Sequence, residues 1–95
     1  MEMMKLKNGS EVAKPIVVSV MVTLNTLLRE MPIAAWEAIE MARNPDHKPI
    51  GGAGETLEKF GLIQSGRMHD AIRDVIASAA QGEGWDVTIG SPVAA

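Results

Sequence analysis

The chain has no cysteine and no tyrosine, and its only aromatic side chains are Trp36, Trp85 and Phe60. Without thiols it can form no disulfide, no thiolate metal site and no cysteine nucleophile. That composition suits a reducing compartment, and a cytoplasmic location is expected. The shortage of aromatics leaves the core to Val, Ile, Leu, Ala and the seven methionines. Methionine adapts its shape, so such a core or interface is less sharply specified than an aromatic one. Excess positive charge is missing too: nine Lys and Arg stand against twelve Asp and Glu, a net charge of −3. A broad nucleic-acid footprint needs clustered cations to displace counterions from phosphate, so this balance argues against a nucleic-acid partner. Long apolar runs are also lacking. Ile16–Leu28 is the greasiest stretch, yet it holds Ser19, Thr23, Asn25 and Thr26, and Arg29 and Glu30 follow at once. It is too short and too polar for a membrane span, and no small-x-small site follows to make it a signal peptide.

What is present reads as one small domain over residues 1–95, globular at 46% hydrophobic and 22% charged residues. Asn8-Gly9, between Met4-Lys5-Leu6 and Ser10-Glu11-Val12, fits a two-residue hairpin turn; a frayed terminus over 1–13 is the alternative. Val17, Val20, Met21, Leu24, Leu27, Leu28 and Met31 then repeat with helical period, and Pro15 suits the first turn. Ile16, Val18 and Val22 fall outside this stripe and widen its apolar arc. These residues are β-branched, so a strand over 16–22 competes with a helix over 15–30. The helix is favoured because the stripe continues through Leu27, Leu28 and Met31, where a period of two fails.

Met31-Pro32 ends that element, since the residue before proline is driven from the α region. Pro32 opens a second helix, PIAAWEAIEMAR, with Ile33, Trp36 and Ile39 on the expected inner face and Glu37, Glu40 and Arg43 on the wet one. Residues 44–54 (NPDHKPIGGAG) form a loop. A short third helix over Glu55–Phe60 is closed by Gly61 at the C′ position, with Leu62 as its hydrophobic contact. Leu62-Ile63 fits a brief strand, and Gln64-Ser65-Gly66 a turn. Met68, Ala71, Ile72, Val75, Ile76 and Ala79 give the clearest helix, capped by His69 or Asp70, with Arg73 facing water and Gly82 and Gly84 as its stop. The alternation Trp85-Asp86-Val87-Thr88-Ile89 predicts a last strand near 85–90. The expected architecture is mainly α (α+β): about four helices with short strands.

No motif carries chemistry. Gly51-Gly52-Ala53-Gly54-Glu55-Thr56 matches neither phosphate-loop spacing, has no lysine where one is needed, and places Glu55 where it would repel phosphate. Asp46-His47 and His69-Asp70 are histidine–carboxylate pairs, but a metal site needs three or more convergent ligands. No serine or threonine sits in a nucleophile elbow. No catalytic residue, cofactor or metal is therefore predicted.

Glu55–Met68, about a seventh of the chain, resembles the recognition-helix-to-wing passage of winged-helix proteins in its succession of helix, cap and turn. That resemblance implies a winged-helix-like arrangement and a nucleic-acid-binding regulator as an alternative, supported if Arg43, Lys48, Lys59, Arg67 and Arg73 gather on one face. A small-ligand binder or enzyme using the 44–54 loop, with His47 and His69 in one cleft, is a second alternative. The first expectation rests on the overwide apolar helix, which a short chain tends to cover with a second copy. It is a non-enzymatic, self-associating interaction protein, a homodimer whose interface uses Val17, Val20, Met21, Leu24, Leu28 and Trp36.

Overall fold

A computed structural model describes residues 2–80 of the chain; the strand expected near 85–90, Trp85 included, and the helix stop at Gly82 and Gly84 lie outside them. Met3–Lys5 (β1) and Glu11–Ala13 (β2) pair as an antiparallel hairpin in the register Met3↔Ala13, Met4↔Val12, Lys5↔Glu11. The hairpin is there, but its turn has three residues rather than two. Leu6 N–H donates to the Ser10 carbonyl at 2.8 Å and Gly9 N–H to the Leu6 carbonyl at 2.9 Å, so Lys7, Asn8 and Gly9 make the loop. Of these only Gly9 takes a positive φ, +91°, the glycine-closed turn that is the next commonest hairpin connection. The buried Leu6 side chain holds this register, and Asn8 at the tip reaches Asp74 at 3.3 Å.

Among the described residues four helices follow: α1 (Lys14–Glu30), α2 (Pro32–Arg43), α3 (Ala53–Lys59) and α4 (Asp70–Ala79). The helical reading of 15–30 is the observed one. The core-facing row of α1 runs through Val17, Val20, Met21, Leu24 and Leu27, all buried, while the β-branched Ile16 and Val22 stay on its outer surface. The helix ends at Met31 because Pro32 cannot continue it, and Pro32 starts α2. α1, α2 and α4 pack mutually, and α3 leans on α2. Leu6, Val12, Ile39, Leu57, Leu62, Val75 and Ile76 complete the aliphatic core. Burying each such side chain contributes roughly 1.5–3 kcal/mol before conformational entropy is counted.

α3 closes as expected, though it starts two residues earlier than Glu55. Gly61 N–H meets the Glu58 carbonyl at 3.0 Å and Leu62 N–H the Leu57 carbonyl at 2.9 Å, with Leu57 and Leu62 both buried: a Schellman closure with its hydrophobic contact. Gly61 has φ +78° with open space around it. Gly61→Ala is therefore expected to cost about 1–2 kcal/mol through backbone strain alone, as read by thermal unfolding. Leu62 and Ile63 are buried but form no strand; the chain turns at once through Ser65 and Gly66, both at positive φ, between the paired Gln64 and Arg67. The wing of the winged-helix resemblance thus shrinks, among the described residues, to a two-residue turn. His69 caps α4 by accepting the Ala71 N–H on Nδ1 at 3.1 Å.

Candidate functional site

The structure divides the six expected interface residues. Val17, Val20, Met21 and Leu24 are core residues of their own chain and have no surface to offer a second copy. Leu28 is packed against that core. Trp36 alone is well exposed, at 48%. The cause is that α2 and α4 both pack on α1 and take its periodic row inside, while Ile16 and Val22, which widened the arc, stay exposed.

α2 supplies the apolar surface instead. Its buried residues are Ala34, Ala35, Ala38, Ile39, Met41 and Ala42, and the four alanines among them let neighbouring helices pack closely. That choice turns Ile33 and Trp36 outward, against the expected orientation. Ile33 is 70% exposed, and across a gap from it stands Ile50, 62% exposed, on the loop that returns to α3. Between them lies an open groove of about 420 Å³, walled by Met31, Ile33, Ile50, Ala53 and Thr56 and almost wholly apolar. Met31 closes the periodic row of α1 and so reads as core, while Ile50, in the loop, has no periodic pattern to mark it.

Behind the groove, Glu37 fixes the loop. Its Oε1 accepts His47 Nε2–H at 2.9 Å and the Ile50 N–H at 3.0 Å. A carboxylate only accepts, so the His47 proton on this bond resides on Nε2. The side chain expected on the wet face of α2 is in fact only 12% exposed. The His47 hydrogen bond is the main reason that the Glu37 carboxyl is held below its ordinary 4.5; burial opposes the shift, while the Ile50 N–H and the nearby His47 charge reinforce it. The loop tightens itself further, with Asp46 N–H on Asn44 Oδ1 at 3.0 Å and Ala53 N–H on the Ile50 carbonyl at 3.1 Å. The acid and its histidine are ten residues apart, and no short-range pattern joins them.

His47 and His69 do not meet: one holds Glu37 and the other caps α4. Among the described residues no group of three or more His, Asp or Glu could hold a metal ion, and no helix is long and apolar enough to cross a membrane. The expected basic face is incomplete, because Arg43 donates to the Ala80 carbonyl at 2.8 Å. No protein-family model matches this chain, and no curated protein or solved structure shows significant similarity to it.

Proposed function

We propose that the chain is a non-enzymatic interaction protein that pairs with a second copy of itself through the Ile33–Ile50 groove and Trp36. One observation carries this reading: two isoleucines, 70% and 62% exposed, flank an apolar groove, with Trp36 one turn further along α2. Apolar side chains left out in this way mark an interaction surface when they adjoin one another. Projections and groove lie side by side, so a two-fold axis can set each copy's isoleucines against the other's groove, the self-complementary geometry of an isologous dimer. Arg29 and Glu30, both exposed and next in sequence to the groove residue Met31, give the rim both signs of charge, which suits a like partner. The cysteine-free composition suits a cytoplasmic setting for such a protein.

Sedimentation across a dilution series tests the proposal. The wild-type chain is expected to dimerise, and Ile33→Glu to weaken the dimer by about 30-fold or more, the effect of losing an interface anchor worth at least 2 kcal/mol. Ile33 is exposed, so an unchanged far-UV circular dichroism spectrum should accompany that loss. A wild-type chain that stays monomeric at every concentration would overturn the reading.

A further inference from the structure

The geometry points to a second site: a polar cavity between the 44–52 loop, the Gln64–Arg67 turn and the start of α4, which binds a small phosphate ester. It measures about 520 Å³, within the range of small-molecule sites. Lys48, Arg67 and Arg73 line it from three separate segments, together with Asp46, His69 and Asp70. Lys48 and Arg67 have no ion-pair partner among the described residues. Arg73 was expected to face water; instead only 24% of its side chain is exposed, and its Nε is buried with no acceptor among the described residues. A buried Nε is out of a ligand's reach, so what Arg73 offers the cavity is the terminal nitrogens of its guanidinium. Its one counter-ion among the described residues is Asp70 Oδ1, at 3.7 Å on a side chain 95% exposed, too long for a hydrogen bond and well screened by water.

A phosphate monoester carries nearly two negative charges and three acceptor oxygens, which match three cations. Arg67 and Arg73 offer forked donors for those oxygens and Lys48 a point charge. Asp46 is left to accept from hydroxyl groups of the organic portion and His69 to donate to them from Nε2–H, since its Nδ1 already accepts the Ala71 N–H, so the ester should bind better than the bare ion.

Calorimetric titration of the full chain with inorganic phosphate and with glycerol phosphate, at constant ionic strength, is the test. Saturable binding is expected, tighter for the ester. Arg67→Gln, on the exposed turn, should weaken it about tenfold or more. Asp70→Asn should tighten it by releasing Arg73, and Lys7→Gln, outside the cavity, should leave it unchanged. Arg73→Gln is read only if its unfolding midpoint stays near wild type. No saturable binding of either compound up to about 10 mM, or equal weakening by Lys7→Gln, would overturn the site. So would steeply salt-dependent binding of duplex DNA with no heat from the ester, which would instead indicate backbone recognition.

Discussion

Leu24→Ala is expected to lower the unfolding free energy by about 3–5 kcal/mol, the largest single effect foreseen for this chain. Leu24 is fully buried in the row that α1 turns toward α2 and α4. Its truncation loses transfer free energy and leaves a cavity that rigid neighbours fill only in part. A small domain has only about 5–15 kcal/mol of stability in total, so this change removes a large share. Urea unfolding at two well-separated protein concentrations distinguishes core from interface. A core leucine lowers stability by the same amount at both concentrations, whereas an interface leucine acts by mass action and its effect depends on dilution. Ile33→Ala should behave in the opposite way, nearly neutral in the dilute monomer and costly only where the dimer forms. A loss below about 1 kcal/mol for Leu24→Ala would contradict its place in the core.

The contrast between Leu24 and Ile33 also shows what the sequence makes legible. In α1 one unbroken row of large apolar residues marks the helix and the face to be covered, and Pro15 and Met31-Pro32 fix its ends, but whether its own chain or a second copy covers that face is not written in the row. The Schellman closure at Gly61 and the His69 cap are equally local, each set by two or three neighbouring residues. In α2 the sequence PIAAWEAIEMAR offers two arcs, one with Ile33 and Trp36 and one rich in alanine. Hydrophobicity alone prefers the larger side chains, yet the helix lies against α1, α3 and α4, where close approach decides for alanine. That decision belongs to tertiary packing, and it creates the candidate site. The hairpin shows the same limit on a smaller scale: Asn8-Gly9 marks a turn, but the pairing of Leu6 with Ser10 determines its length.

Glu37→Gln is expected to cost about 1.5–3 kcal/mol, the worth of hydrogen bonds to a charged group in a mostly buried setting. One carboxylate oxygen takes both the His47 and the Ile50 N–H; the amide oxygen can take its place, but as a neutral acceptor it loses the charge-assisted part of both bonds. The pH dependence follows from the direction of the shift. Since the folded carboxyl titrates below its ordinary 4.5, the unfolded chain binds the proton more readily. The contribution is complete above the unfolded value and is lost as the pH falls through the lower, folded value. Thermal unfolding between about pH 6 and pH 3 should thus fall more steeply for the wild type than for Glu37→Gln, the two curves converging at the acid end. Parallel curves would show that the ionised clamp adds nothing. The same bond holds the backbone of Ile50, one wall of the apolar groove. Glu37→Gln should therefore also weaken self-association at neutral pH although Glu37 does not line the groove, because a loop that must be ordered on pairing loses affinity to that ordering.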